Sequence, residues 1–204
     1  MYISKLNREE DRTKILEFLQ QNEFAILVTY DGEKPTASHL LMEVVEEGEN
    51  LLVSGHMSKA NPLWKTFEKN PEVLIIFQGP HTYISPTWYT HVNVPTWNYQ
   101  AVHLYGKPRI VTDQEEFHAI LSRLVSKNES GSPYRLESLP PDFVLNNMKG
   151  IVGFQVEVTR IEANYKLSQN RDDQDYRNIV QRLHEREDQM SHEVAEAMER
   201  QRPL

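Results

Sequence analysis

Hydrophobic and polar positions along the chain first predict a β-hairpin near the N-terminal end. A mostly apolar run, Phe24–Tyr30, is followed by Asp31-Gly32, a dipeptide typical of the tight turn between antiparallel strands. The next segment, Thr36–Val45, alternates between two faces, as a half-buried strand does. One face carries Ser38, Leu40, Met42 and Val44, and the other carries Ala37, His39, Leu41 and Glu43. The two runs are therefore interpreted as consecutive antiparallel strands.

Four further runs have the length and apolar content of strands. They are Leu51–Gly55, Val73–Gly79, a stretch from about Tyr99 to Val111, and Ile151–Ser168. A loop rich in proline is predicted between the second and the third of these. In the last run the apolar phase shifts by one position near Thr159, which indicates a bulge or a sharp bend.

Five helices are predicted between and after the strands, from apolar stripes and capping residues. The first follows Asn7, and the second spans Leu63–Lys69 with Asn61 as its N-cap. The third begins at Thr112 or Asp113 and turns four apolar residues inward: Phe117, Ile120, Leu121 and Leu124. The fourth spans Phe143–Gly150, and the fifth occupies the charged tail. Meandering strands with helices at the edges favour a small antiparallel barrel of the α+β class over a parallel doubly wound sheet. Residues 1–170 are expected to form the barrel domain, and residues 171–204 a helical tail that packs on this domain or on a partner chain.

Charge and cysteine content restrict the class of protein. The 204 residues carry a formal net charge of -8 and no cysteine, which excludes disulfides, thiolate metal ligands and a thiol nucleophile. No apolar run approaches the roughly 18 residues needed to span a bilayer, and the N-terminal segment lacks the apolar core of a secretory signal. A cytoplasmic protein without a membrane contact is expected. The negative charge repels nucleic-acid backbones, so DNA binding requires a local basic patch.

One segment, Gly79–Gly106, contains no Asp, Glu, Lys or Arg. Since 25% of the chain is charged, an even spread would give about seven charges here. The segment holds instead two of the three tryptophans, four of the nine tyrosines and three of the eight histidines. Two interpretations remain open. The aromatic residues are anchors of the core or of a dimer interface, or they line a pocket for a flat ring with polar edges.

A polar cluster is predicted where a strand ends and a helix begins. It consists of Ser54, His56, Ser58, Lys59 and Asn61, with Ser38 and His39 on the neighbouring strand. Hydroxyls, a cation, an imidazole and free helix amides suit a phosphate group. The alternative is an ordinary polar turn that Asn61 caps.

Several other chemistries have little support. The chain contains no GxxxxGK[ST] or GxGxxG phosphate loop, no HExxH motif and no GxSxG elbow. A zinc site built from His81, His91 and His103 stays open, because residues distant in sequence can meet in the fold. Iron binding by His184 and His192 of the tail is a more distant alternative.

Four separated motifs carry a resemblance to a known family. GHMSKANPLW, PHTYISPTWY, VPTWNYQAVHLYG and KLSQNR occur in this order and resemble those of the PaiB-type protease synthase and sporulation negative regulators, which are classed as FMN-binding negative transcriptional regulators. The resemblance runs from Phe24 to about Leu183. It implies the split β-barrel shared with pyridoxamine phosphate oxidases and flavin reductases. It also implies a homodimer with FMN between the subunits.

The resemblance also implies which residues bind FMN. Lys59, beside Ser58, stands where such proteins place a basic residue for the phosphate, while His39 stands where the oxidases carry an arginine. Asn98 and Tyr99 lie just before the strand that lines the flavin ring in relatives. The expected cofactor-binding residues are Ser38, His39, His56, Ser58, Lys59, Asn61, Trp97, Asn98, Tyr99, Lys166, Ser168, Gln169 and Asn170.

Two functions remain open at this point. One is a flavin-binding negative regulator of transcription, and the other is an FMN-dependent oxidoreductase or flavin reductase-like enzyme that does not bind DNA. No residue is a strong candidate for a catalytic acid or base, so the regulator is preferred. A DNA or regulatory partner has weak support, because the tail carries more acids than arginines.

Overall fold

The computed structural model describes residues 1–203, which form seven strands and five α-helices. The strands are β1 (Arg8–Glu9), β2 (Phe24–Tyr30), β3 (Pro35–Glu47), β4 (Asn50–Ser58), β5 (Val73–Ile84), β6 (Thr96–Val111) and β7 (Ile151–Lys166). The helices are α1 (Arg12–Gln21), α2 (Gln114–Asn128), α3 (Pro141–Met148), α4 (Asp173–His184) and α5 (Gln189–Gln201).

All seven strands belong to one sheet in the order β1-β7-β4-β3-β2-β5-β6, and β6 also pairs with β7. The second pairing of β7 closes six of the strands into a ring, to which β1 adds at β7. The β2–β3, β3–β4, β2–β5 and β4–β7 pairs are antiparallel. The α+β class and the antiparallel split barrel predicted from the sequence are confirmed.

The chain divides into two compact units. The first unit contains residues 1–18, residues 78–103 and the chain from residue 162 on, and the second contains residues 19–77 and 104–161. Strands β5, β6 and β7 pass from one unit into the other. The division between residues 1–170 and 171–204 therefore stays a prediction.

The core of the second unit combines the inner face of the sheet with a helical layer. Leu27, Met42, Val53, Ile75 and Phe154 are fully buried strand residues. Helix α2 begins where Asp113 Oδ1 accepts a hydrogen bond of 2.7 Å from the backbone NH of Glu116. Its predicted inward residues are all buried, in one cluster with residues of α3: Phe117, Ile120, Leu121, Leu124, Val144 and Met148.

The tail forms two helices in the first unit, where the sequence predicted one. Helix α4 ends at His184, and α5 starts after Asp188, whose Oδ1 accepts a hydrogen bond of 2.9 Å from the backbone NH of Ser191. This cap begins a new helix and explains the break. The tail was expected to carry a thin apolar seam of five residues, and four of them are buried within this chain: Ile179, Leu183, Val194 and Met198. The fifth, Met190, is 46% exposed.

Two predicted helices have different bounds. The first was expected to follow Asn7, but α1 begins at Arg12, because Asp11 Oδ1 accepts a hydrogen bond of 2.9 Å from the backbone NH of Thr13. The second, after Asn61, is only a 3-10 turn over Pro62–Thr66. Asn61 is its N-cap, as predicted, with Oδ1 3.0 Å from the backbone nitrogen of Leu63.

Two strand predictions also change. Strand β5 continues to Ile84 and β6 starts at Thr96, so the loop between them is shorter than predicted. In β7 the buried positions change phase between Val156 and Ala163. The strand remains continuous there, and its pairing passes from β4 at Ile151–Glu157 to β1 at Ala163 and Asn164. The predicted bulge or sharp bend near Thr159 lies between these two pairings and stays a prediction.

Candidate functional site

In the second unit, the predicted phosphate-binding residues gather where β4 ends. Asn61 donates through Nδ2 to Ser38 Oγ at 2.8 Å, while its Oδ1 caps the 3-10 turn. Ser58 Oγ accepts a hydrogen bond of 3.3 Å from the backbone NH of Ala60. The side chains of Ser38, Ser58 and Asn61 therefore hold this turn in one conformation.

Lys59 combines a fixed backbone with a free side chain. Its backbone NH donates to Gly150 O at 2.9 Å, and its carbonyl accepts a hydrogen bond of 3.2 Å from Trp64 Nε1. Within residues 1–203 the exposed ammonium group has no hydrogen-bond or ion-pair partner. A free cation on a rigid turn is available to an anion.

The two histidines of this predicted group have different surroundings. His39 faces away from Ser38, since neighbouring residues of a strand point to opposite faces, and stacks on Phe24 with ring centroids 6.0 Å apart. His56 Nδ1 is buried and has no hydrogen-bond partner among the described residues. Burial lowers the pKa of His56 below its ordinary value of 6.5, so the imidazole is neutral at physiological pH.

In the first unit, the structure brings Asn98 together with the predicted KLSQN motif. Asn98 is fully buried and donates through Nδ2 to Ser168 Oγ at 3.0 Å. Met198 Sδ of α5 lies 3.5 Å from the same nitrogen. Ser168 has a φ of 61°, a left-handed conformation that favours glycine. The hydrogen bond with Asn98 helps to hold it there.

Three other predicted residues, Tyr99, Lys166 and Gln169, have hydrogen-bond partners within the first unit. Asn164 Nδ2 donates to the hydroxyl of Tyr99 at 2.7 Å, and Lys166 Nζ donates to Thr96 Oγ1 at 2.6 Å. Gln169 Oε1 accepts a hydrogen bond of 2.7 Å from the backbone NH of Leu167, while Asn170 is exposed. These residues fix the end of β7.

Trp97 differs from its neighbours because its side chain is 47% exposed. His81 stacks on it with ring centroids 5.8 Å apart and an angle of 30° between the planes. Tyr83, also exposed, meets it edge-on at 6.4 Å. The three rings form an aromatic surface within the charge-free segment, and such a surface suits a planar, uncharged group.

Sequence reasoning missed a cluster at the start of α4. Asp175 is fully buried, and its Oδ1 accepts a hydrogen bond of 2.7 Å from the backbone NH of Thr90. Arg171 lies over the ring of Tyr89 at 4.6 Å. In the sequence, Asp172-x-x-Asp175 has the pattern of an exposed helix N-terminus. The structure shows instead that the carboxylate of Asp175 is buried.

The described residues contain no group of three or more His, Asp or Glu side chains placed to hold a metal ion. The zinc site considered for His81, His91 and His103 is therefore not formed. The tail histidines have other partners: His184 Nε2 lies 3.3 Å from Glu199 Oε1, and His192 Nε2 lies 2.5 Å from Arg186 O. Over residues 1–203, no helix has both the length and the apolar character that a membrane crossing requires.

Among solved structures, the fold is similar to two proteins of low sequence identity. The flavocytochrome Anf3 of Azotobacter vinelandii matches with a TM-score of 0.62 and 13% identity, covering 86% of this chain and 78% of that one. A conserved hypothetical protein of Mycobacterium tuberculosis matches with a TM-score of 0.62 and 14% identity, covering 83% and 92%. At this identity the likeness shows the fold alone.

Sequence comparison is more specific. The chain is 41% identical over 201 residues to a Bacillus subtilis protein named protease synthase and sporulation protein PAI 2, covering 98% of this chain and 97% of that protein. Residues 1–160 match the model of the family described as "Putative FMN-binding domain". FMN is thus the cofactor of the family, and the resemblance read from the four motifs is confirmed. This protein belongs to that FMN-binding family, as a relative of the Bacillus subtilis protein along nearly its whole length.

Proposed function

We propose that the protein is an FMN-binding negative regulator of transcription. Lys59 is the observation that carries the flavin part of this proposal. Its ammonium group is free within the described residues, while both polar groups of its backbone are fixed. Such a cation meets a phosphate dianion without breaking an existing ion pair. The hydroxyl of Ser58, beside it, is a further donor.

The aromatic surface of Trp97, His81 and Tyr83 suits the ring of a flavin, considered apart from the phosphate group. Stacking on an exposed tryptophan removes apolar area from water, and the absence of charge in Gly79–Gly106 avoids the cost of desolvating ions. Asn98 does not contribute an open edge, since its amide is buried against Ser168. When bound, FMN supplies the hydride or electron chemistry, and the side chains of this protein hold and orient it.

The regulatory part of the proposal rests on the relative of Bacillus subtilis, whose name refers to protease synthesis and sporulation. Direct reading of DNA has little physical support. Helices α4 and α5 are joined by a short turn, as in a helix-turn-helix, but α5 carries three glutamates and one arginine. An acidic helix is repelled by a phosphate backbone. A regulatory partner protein is therefore the more natural target.

An FMN-dependent oxidoreductase is the second candidate function. The exposed face of Trp97 favours it, because an open aromatic surface leaves room for a second planar molecule. A gel-shift experiment at a defined salt concentration, together with an assay for turnover, distinguishes the two functions. DNA binding that resists non-specific competitor supports the regulator as a direct DNA binder, and turnover of a reductant without DNA binding supports the enzyme.

A homodimer is part of the same proposal. The outer face of β2 and β3 in the second unit is apolar, with Phe24 69% and Tyr30 47% exposed. Ile26 and Val28 of β2 lie on the same face. Ile76 of β5 also lies on it, because Ile76 pairs with Ile26. The part of this face that β2 and residues 35–41 of β3 form contains no Asp, Glu, Lys or Arg. Because two copies with a net charge of -8 repel each other elsewhere, an uncharged face is the one that suits a second copy.

FMN titration tests the proposal. The visible spectrum of the purified protein and the quenching of flavin fluorescence give the affinity for FMN. Replacing Lys59 by Ala removes a charge-assisted contact, so affinity is expected to fall by about 1.5–3 kcal/mol, which is more than tenfold. Lys34→Ala is the matched control, because Lys34 is exposed on another turn of the same unit. Equal affinities of wild type and Lys59→Ala would contradict the phosphate assignment.

A further inference from the structure

A cleft of about 450 Å³ lies in the second unit, beside the end of the β3–β4 hairpin. Leu52 of β4 lines it together with Glu157, its partner on β7. Glu47 and Asn50, which pair with each other across the hairpin, lie on the same face and also line the cleft. The cleft therefore combines an aliphatic surface with two carboxylates.

One of the residues that line the cleft is an arginine held by two partners. Arg109 of β6 forms an ion pair with Glu116 of α2, with Nη1 3.2 Å from Oε2. Its Nη2 also donates to Gln155 Oε1 at 2.5 Å. Gln155 is only 7% exposed, and within residues 1–203 its amide nitrogen makes no hydrogen bond. A nearly buried amide in a cleft is a ready donor to a ligand.

Gly106 determines the shape of the same region. A Cβ atom at this position would lie 2.3 Å from Glu157 O and 2.6 Å from Val156 Cγ1. Strands β6 and β7 can approach this closely only because residue 106 has no side chain. The cleft is therefore built on a rigid part of the sheet, which is the condition for a preformed ligand site.

The charges that line the cleft are not balanced within the protein. Arg109 and Glu116 neutralise each other. Among the described residues, Glu47, Glu157 and Lys107 have no ion-pair partner, which leaves two carboxylates and one ammonium group. The complementary ligand has two cationic groups and one carboxylate, joined by methylene groups that can lie on Leu52.

We propose that this cleft binds a free basic α-amino acid of the arginine or lysine type. The ligand carboxylate meets Lys107 and the amide of Gln155, while its two cationic groups meet Glu47 and Glu157. The site is independent of flavin, since it shares no residue with those assigned to FMN. It gives the protein a second ligand class, an amino acid that can modulate it.

Isothermal titration with L-arginine at fixed, low ionic strength tests the proposal, because exposed charges are screened by salt. Agmatine, which lacks the carboxylate of arginine, is the comparison ligand. Wild type is expected to bind L-arginine saturably and more tightly than agmatine. Lys107→Gln is expected to weaken L-arginine binding by about five- to tenfold. Agmatine binding is expected not to weaken, because the variant loses only a cation that repels this dication.

Glu157→Gln is expected to weaken the binding of both ligands. Lys34→Gln, on a distant turn, is expected to change the binding of neither. Circular dichroism and thermal unfolding of each variant show that the fold is retained. The proposal is overturned if wild type shows no saturable heat with L-arginine at millimolar concentration. It is also overturned if agmatine binds as tightly as L-arginine, or if Lys107→Gln and Lys34→Gln bind L-arginine alike.

Discussion

The carboxylate of Asp175 lies 3.2 Å from Nδ1 of His91, with the acid fully buried and the imidazole 54% exposed. The pair joins the loop before β6 to the first turn of α4. Thr90 strengthens the connection through its backbone NH. A buried charge persists only when such partners compensate for its desolvation, so Asp175 is a determinant of where the tail docks.

Stability is expected to depend on the ionisation of Asp175. Burial alone raises the pKa of this carboxyl, but the hydrogen bonds from Thr90 and the charges of His91 and Arg171 outweigh it and lower the pKa below 3.8. The unfolded chain then binds the proton more readily than the folded protein. This part of the stability is present above pH 3.8 and is lost as the pH falls through the lowered value.

Asp175→Asn is therefore expected to be less stable than wild type at neutral pH, with a difference that narrows in acid. Urea unfolding across the pH range measures this. Glu68→Gln, at an exposed position, is the control and should show no such convergence. A constant difference between wild type and Asp175→Asn at all pH values would contradict the assignment.

His56 is expected to titrate below pH 6.5, because burial disfavours its charged form. The unfolded chain binds the proton more readily, so its contribution to stability is full above pH 6.5 and is lost as the pH falls through the lowered folded-state pKa. The ring resonances of His56 in an NMR titration, assigned with a His56→Gln variant, report the pKa directly. A value at or above 6.5 would show that His56 is not desolvated.

Gly106→Ala is expected to destabilise the protein by about 1–3 kcal/mol, because the added methyl group meets backbone and side-chain atoms of β7 that cannot move independently. Gly131→Ala is the matched control, since a Cβ atom there has no neighbour within 4 Å. Chemical denaturation of the two variants gives the comparison. Equal denaturation midpoints for Gly106→Ala and Gly131→Ala would mean that β6 and β7 leave room for a side chain at residue 106.

The backbone of Ser168 gives a prediction about the order of two variants. Ser168→Ala and Ser168→Gly both remove the hydroxyl and leave the buried amide of Asn98 without that partner, at a cost of about 1–3 kcal/mol. Glycine, however, adopts a φ of 61° without the strain of about 1–2 kcal/mol that a Cβ atom brings. In thermal unfolding, the midpoint temperature of Ser168→Gly is expected to be higher than that of Ser168→Ala. The reverse order would exclude a strained backbone at residue 168.

A chain that stops at residue 170 is expected to aggregate or to lose cooperative unfolding. Removal of the tail discards seven buried residues and exposes the surface of the first unit that they cover: Tyr176, Ile179, Leu183, Val194, Ala195, Ala197 and Met198. Burial of each large side chain contributes about 1.5–3 kcal/mol, which together rivals the whole stability of a typical domain. Light scattering and differential scanning calorimetry measure the outcome. Unchanged cooperative unfolding would show that residues 1–170 are an independent domain.

Local patterns were sufficient to predict most of the elements. Phe24–Tyr30 is a strand with the predicted bounds, and Asp113 caps α2 as expected, because alternation and capping act over a few residues. Errors in the predicted helix bounds arise where more than one residue of a segment can act as an N-cap. Asp188 starts a second helix inside a segment that reads as one amphipathic stripe, and its effect depends on which carboxylate reaches which backbone NH.

The candidate site was only partly accessible to sequence reasoning. Ser38 and Asn61 were placed in one group, and the structure joins them by a hydrogen bond. Strand alternation explains why His39 leaves this group. Composition also drew attention to Trp97 and Asn98 together, although one is exposed and the other is buried. Side-chain direction separates these neighbours, and composition contains no information about it.

The assembly of the first unit from three separate stretches of chain has a consequence for synthesis on the ribosome. Residues 78–103 emerge long before α4 and α5 exist, although Asn98 and Thr82 need Met198 and Ser191 as partners. Until α5 has been translated, this aromatic and uncharged segment has no cover from the tail. Nascent chains with such exposed apolar surface are substrates for chaperones, and α5 completes the burial of this segment.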